Sequence, residues 1–186
     1  MTVRIEEVPV EDARAVGLRG MLDDELTVRY GPVTSGEDPE LTAARREALR
    51  VRPDDVIATF LALDDDGTPL GHVMLRRLGV DVELKRLIVP AVARRRGVGR
   101  ALTTAVIERA RAEGARRVIL QTGKPQPESI ALYTAAGFTP IPVYEPYVAS
   151  MPTSLCFELP LVAPGDRAGL RDRPDTDRRS PPSSLL

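Results

Sequence analysis

Residues 81–100 constrain this chain more than any other stretch. A run of strand character closes at Pro90, and a turn rich in arginine and glycine opens a helix. The turn reads Arg94-Arg95-Arg96-Gly97-Val98-Gly99-Arg100. Behind it, residues 97–112 carry Val98, Leu102, Ala105, Val106 and Ala110 on one helical face, and Gly114 follows the end. A helix start leaves N–H groups unpaired and carries a partial positive charge. With glycine at 97 and 99, no Cβ keeps a phosphate oxygen from that backbone. The arginines add charge and planar donors. This unit predicts a phosphate-binding turn rather than a solvated charged loop, inside an α/β chain.

The other elements follow from periodicity and turn chemistry. Residues 2–8 alternate as a strand. Residues 11–30 place Ala15, Leu18, Leu22 and Leu26 at helical spacing, although Gly17 and Gly20 weaken the pattern. Gly, Pro and Ser mark residues 31–39 as a loop, and residues 40–50 form a short helix. Residues 55–63, 69–78 and 81–89 read as an antiparallel meander, turned first at Asp64-Asp65-Asp66-Gly67 and then at Gly79-Val80. A short buried strand (117–122), a helix (126–136) with Pro127 in its first turn, and strands at 138–141 and 154–159 complete the pattern. From residue 163 onward Arg, Asp, Pro, Gly and Ser dominate. The expected organisation is one domain over residues 1–162 and a disordered tail over 163–186.

Common phosphate motifs do not fit the turn. A Walker loop needs Gly-Lys-Ser/Thr, which is missing. A dinucleotide fingerprint needs a third small residue where Leu102 stands, and an acidic ribose ligand where Thr122 and Gly123 fall. Arg94-x-x-Gly97-x-Gly99 instead resembles the pyrophosphate motif of the GNAT superfamily of acyl-CoA N-acyltransferases. Glu83-Leu84-Lys85-Arg86-Leu87-Ile88-Val89 is similar to that family's fourth strand. Gln126-Pro127-Glu128-Ser129-Ile130-Ala131-Leu132-Tyr133 with Gly137-Phe138 resembles its later helix, with Gln126 where the family usually has Asn. The likeness covers roughly residues 2–160.

The resemblance implies a central twisted mixed sheet of about seven strands, with helices on both faces and with strands four and five splayed. It implies acetyl-CoA as co-substrate, pantetheine lying in the gap against Leu87, Ile88 and Val89, and pyrophosphate on Arg94, Arg95, Arg96, Gly97, Val98, Gly99 and Arg100. Gln126 and Tyr133 would also meet the cofactor. Glu83 is the candidate general base, against the alternative of a solvated strand glutamate. Tyr133 is the candidate general acid for the coenzyme A thiolate, against a packing tyrosine. Arg29, Tyr30, Tyr144, Glu145 and Tyr147 are the candidate acceptor contacts, being placed at the first helix end and in the loop before the last strand.

Composition sets the outer limits. Net charge is −1 and aromatic residues are 4% of the chain, which argues against a nucleic-acid binder built on the arginine turn. The one cysteine, Cys156, cannot form an internal disulfide and rules out a multi-cysteine zinc site, so no metal is expected. The one histidine, His72, reads as structural. No apolar run reaches the ~18 residues of a membrane span, and the first ten residues lack a signal-peptide block. A cytoplasmic N-acetyltransferase of bacterial type is expected. It would transfer acetyl in a ternary complex to the primary amine of a small molecule or peptide, with a homodimer possible and no membrane or nucleic-acid partner. The competing reading is a non-catalytic acyl-CoA-binding module.

Overall fold

The computed structural model describes residues 2–161. The chain runs β1 (Arg4–Val8), α1 (Ala13–Thr34), α2 (Pro39–Leu49), β2 (Val56–Leu63), β3 (Pro69–Leu78), β4 (Asp81–Ile88), α3 (Val98–Ala112), β5 (Arg117–Thr122), α4 (Pro127–Ala135), β6 (Thr139–Ile141) and β7 (Leu155–Pro160). Among the described residues the strands form one mixed sheet in the order β1-β2-β3-β4-β5-β7-β6. All of its pairings are antiparallel except β4 with β5. The tail expected over residues 163–186 lies outside the described residues, as does the exact domain boundary.

Strand alternation divides two cores between the two faces. Phe60 and Ala62 of β2, Leu75 of β3 and Val82 and Leu84 of β4 meet Val98, Leu102 and Val106 of α3. Leu61 and Leu63 of β2 point the other way, onto Ala15, Leu18 and Leu22 of α1. One face of β4 is therefore apolar, and the opposite face carries Glu83 and Lys85 beneath α1.

The alternation breaks near the end of β4. Met74 pairs with Lys85 but His72 pairs with Ile88, so Arg86 and Leu87 together oppose Val73. This is a β-bulge, and Arg86 takes φ 57° to make it. The extra residue reverses the facing pattern. Strict alternation from Lys85 would put Leu87 on the α1 face, yet Leu87 packs with the α3 core and Ile88 with α1.

The first helix differs from its expected span. It continues through Gly31 and Pro32 to Thr34, leaving residues 35–38 as the loop. Asp12 caps its start by accepting from Arg14 N–H at 2.9 Å and Ala15 N–H at 3.4 Å. Near its end the Tyr30 hydroxyl donates to Gln126 Oε1 in the turn before α4, and Thr34 Oγ1 donates to the Tyr30 carbonyl at 3.1 Å. These ties hold a last turn that Gly-Pro would otherwise end.

β3 passes very close to β4 and α3 at Gly71, where a Cβ would lie 2.8 Å from Ile88 O and 3.0 Å from side-chain carbons of Leu102 and Val98. Gly71→Val is expected to destabilise the fold by about 1–3 kcal/mol through overpacking, read as a lower urea midpoint with unchanged slope. An unshifted midpoint would mean that this contact is not tight.

Candidate active site

The site begins where β4 and β5 part. They pair in parallel only at Val82 with Val118 and Glu83 with Ile119. Beyond these pairs β5 continues to Thr122 beside β7, and β4 continues to Ile88 beside β3. The backbone groups of β4 that face β5 are thus left open from Leu84 onward. The bulge at Arg86 and Leu87 bends the strand at the same place. The gap is the splay expected from the sequence.

At the far end of β4 the chain turns through Ala91–Ala93 into the arginine–glycine segment. Arg95 (φ 63°) and Gly97 (φ 77°) both take left-handed backbone, and Gly97 caps α3 without a side-chain bond. The N–H groups of Gly97, Val98, Gly99 and Arg100 have no hydrogen-bond acceptor among the described residues, whereas Ala101 N–H returns to Gly97 O. Four donors at a helix start make a cradle for a diphosphate. The cradle is also narrow: a Cβ on Gly99 would stand 3.1 Å from Leu132 of α4. Leu87, Ile88, Val89, Arg94, Arg95, Gly97, Val98, Gly99, Arg100 and Gln126 all line one groove of about 360 Å³. Tyr133 and Arg96 lie outside this lining. The cradle, the open strand edge and the small residue at 99 fit a coenzyme A-type molecule.

A second cleft of about 490 Å³ adjoins the groove beneath α1 and α2; the two share Leu22, Leu87, Gln126 and Ser129. Tyr133 lines this second cleft. Its hydroxyl makes no hydrogen bond among the described residues, and burial pushes its phenol well above the ordinary value of 10. The ring packs against Phe138 with centroids 5.8 Å apart. A protonated hydroxyl with open hydrogen-bonding capacity therefore faces the space beside the gap.

Glu83 is fully buried and lies deeper than either lining. Arg76 of β3 donates to its Oε2 at 2.6 Å, and the hydroxyls of Tyr144 and Tyr147 donate to its Oε1 at 2.8 and 2.7 Å. Arg76 is itself anchored on Arg50 O at 2.7 Å. Burial beside the Glu83 charge pushes both tyrosines far up, so they remain neutral donors. Lys85 Nζ donates to Tyr147 OH at 2.8 Å, sits 5.0 Å from that ring's centre and stands 3.9 Å from Glu83 Oε1. Lys85 is the member of this network that lines the second cleft.

The remaining acceptor candidates divide into three sets. Tyr144 and Tyr147 gather around Glu83. Glu145 is exposed and lies outside both linings. Arg29 and Tyr30 tie α1 to the β5–α4 turn: Arg29 Nη1 donates to Pro125 O at 2.9 Å, and Tyr30 OH to Gln126 Oε1 at 3.1 Å. Arg29 also pairs with Glu25 and Glu128, both at 2.5 Å, and Glu25 in turn holds Arg94 at 2.7 Å. His72 is fully buried with Nδ1 on Phe60 O at 3.2 Å; burial takes it down to about 4, so it stays neutral. Among the described residues no cluster of His, Cys, Asp and Glu could hold a metal ion.

Two residues that matter here were not singled out from the sequence, Glu25 and Lys85. For Lys85 a signal existed. The two-residue turn Gly79-Val80 sets Leu78 opposite Asp81, which puts Arg76 opposite Glu83 and Lys85 on the same face two residues on.

Burial brings the Lys85 ammonium down to about 8, with Glu83 opposing part of the shift. Between pH 8 and its ordinary 10.5, the folded protein has released a proton that the unfolded chain still holds. Stability contributed by this group therefore rises with pH across that window. Relative to Lys85→Met, the unfolding free energy of the wild type is expected to rise by up to ~3 kcal/mol from pH 8 to 10.5, measured by urea titration. A pH-independent difference would show that Lys85 is not held in this environment.

The sequence profile of the Acetyltransferase (GNAT) family matches residues 20–138. The chain is 32% identical over 157 residues to an IAA acetyltransferase of Azospirillum brasilense, covering 83% of this chain and 95% of that protein. It is 36% identical over 115 residues to the mycothiol acetyltransferase of Beutenbergia cavernae, covering 59% of this chain and 39% of that one. The PaiA N-acetyltransferase of Thermoplasma acidophilum, solved in complex with coenzyme A, shares the fold with a TM-score of 0.61 at 17% identity, over 86% of this chain and 99% of its own. The splayed mixed sheet, the glycine-rich cradle at the start of α3 and these matches establish that the chain belongs to the GNAT family of acetyltransferases.

Proposed function

We propose that this protein transfers an acetyl group from acetyl-CoA to the primary amine of a small molecule or peptide, directly within a ternary complex. The observation that carries this reading is that the two clefts adjoin, sharing Leu22, Leu87, Gln126 and Ser129 in their linings. A diphosphate cradle and an unpaired strand edge adjoin a separate chamber, so two substrates could meet at their shared boundary without a covalent enzyme intermediate. Bound acetyl-CoA supplies a thioester that an unprotonated amine can attack.

The chain's own groups have distinct tasks in this reading. The N–H groups of residues 97–100 hold the diphosphate, and Arg95 and Arg100 add charge at the groove wall. The open β4 edge from Leu84 to Ile88 orients the pantetheine and offers an N–H near the reacting carbonyl. Tyr133 donates a proton to the departing thiolate; burial keeps it protonated at neutral pH. Glu83 receives the proton that the amine loses. Its carboxylate already accepts from Arg76, Tyr144 and Tyr147, so the proton reaches it through a tyrosine hydroxyl or when one of these donors yields.

Incubation with acetyl-CoA and a panel of amines is expected to release free coenzyme A thiol. Saturable acetyl-CoA binding with no release for any amine would favour a binding module instead. Tyr133→Phe is expected to lower kcat by about a hundredfold while leaving acetyl-CoA affinity nearly unchanged; an unaltered kcat removes the acid role. Gly99→Val, which drives a side chain against Leu132, is expected to weaken acetyl-CoA binding at least about tenfold. Equal affinity in that variant would place the cofactor elsewhere.

A further inference from the structure

We infer that the second cleft selects an acceptor whose amine is accompanied by a carboxylate, of the amino-acid class, and that Lys85 is the residue that reads the carboxylate. The inference rests on the acetyl-transfer reading for the amine, but the charge argument stands on the cleft itself.

Three ionisable groups are buried together beside the cleft, and of these Lys85 lines it. Arg76 and Lys85 are 4% and 6% exposed, and Glu83 is fully buried. Two cations face one carboxylate. Arg76 takes the close contact at 2.6 Å, and Lys85 is left at 3.9 Å. The two tyrosine hydroxyls that complete the cluster are kept neutral by burial, so they do not balance it. A surplus of one positive charge therefore sits out of water, on the one member that borders the cleft. An ammonium has three donors. Lys85 uses one, on Tyr147 OH, and has no other hydrogen bond among the described residues.

The rim carries the same sign. Arg45, Arg46 and Arg86 line the cleft, and Asp23 is its one acidic lining residue. Asp23 is paired with Arg86, and Arg45 with Glu37. Arg46 is exposed with no ion-pair partner among the described residues, and it borders the neighbouring groove as well. Arg46 and Lys85 line the same cleft with the apolar side chains of Leu49 and Leu84, so an anion in it meets both cations. A buried cation without its counter-charge is costly, and an incoming carboxylate removes that cost. One surplus charge matches a carboxylate better than a phosphate, which would bring nearly two. Gln126 and Ser129 line both this cleft and the cofactor groove, and Tyr133 lines this cleft, so the amine is placed toward these residues.

The test compares N-acetyl amino acids with the matching N-acetyl amino amides as product-like ligands of the coenzyme A-saturated protein, by calorimetry. The pairs differ only in the charge at issue. The wild type is expected to bind the acids about 10–100 times more tightly than the amides, the range of one charge-assisted hydrogen bond. Lys85→Met should reduce that preference to near parity while still binding coenzyme A, which shows that it is folded. Arg46→Gln, at the exposed rim, should reduce the preference in part. Equal binding of acids and amides by the wild type, undetectable binding of both, or an undiminished preference in Lys85→Met each overturns the inference. The underlying reaction is judged separately: coenzyme A release with neutral amines but no preference for acids would leave acetyl transfer standing and remove the carboxylate site. A preference for acids with no release from any amine would do the reverse.

Discussion

The parting of β4 from β5 is the constraint from which the rest of the molecule follows. Two neighbouring strands that stop pairing halfway leave polar backbone without partners, which a protein interior tolerates only where something else satisfies it. Here the β-bulge at Arg86 bends β4 where its pairing with β5 stops, and the edge left open faces a groove. The start of α3 lies at the end of the same groove, so unpaired strand groups and unpaired helix groups open onto one volume. Polar backbone that would be a defect elsewhere becomes a binding surface through this arrangement.

Much of this could be read from residue order because it rests on local chemistry. Arg94 to Arg100 is a helix start whoever its neighbours are, and Gly97 takes the left-handed backbone that its lack of a side chain permits. Parallel reasoning placed the meander, the buried strand β5 and the later helix. The bulge was not legible. Arginine is an ordinary strand-surface residue, and nothing in Lys85-Arg86-Leu87 marks a reversal of facing that depends on β3 and α1 closing around it. The span of α1 was missed for a similar reason. Gly31-Pro32 carries the local signature of a loop, and tertiary ties through Tyr30 and Thr34 override it.

The chemistry around Glu83 shows a third kind of limit. From the sequence, Glu83 is either a base near the gap, as the resemblance implies, or a solvated strand glutamate, and its full burial rules out the second. Its partners come from β3 and from the loop before β7, up to 64 positions away, and one of them, Arg76, is anchored in turn on Arg50 O just past α2. Such a network is a property of assembled elements. It turns an isolated acid into the centre of a buried charge cluster, and it leaves Lys85 as the member that borders the second cleft.

Glu25 adds one more consequence. A single carboxylate clasps Arg94 from the cofactor turn and Arg29 beside the β5–α4 corner, and Leu22, one helical turn earlier, forms part of the wall between both chambers. A diphosphate that draws Arg94 toward itself competes with that clasp and frees one of the moorings of α1. The helix that covers the second cleft thus shares one anchoring carboxylate with the turn that carries the cradle, so a pull on Arg94 is felt at α1.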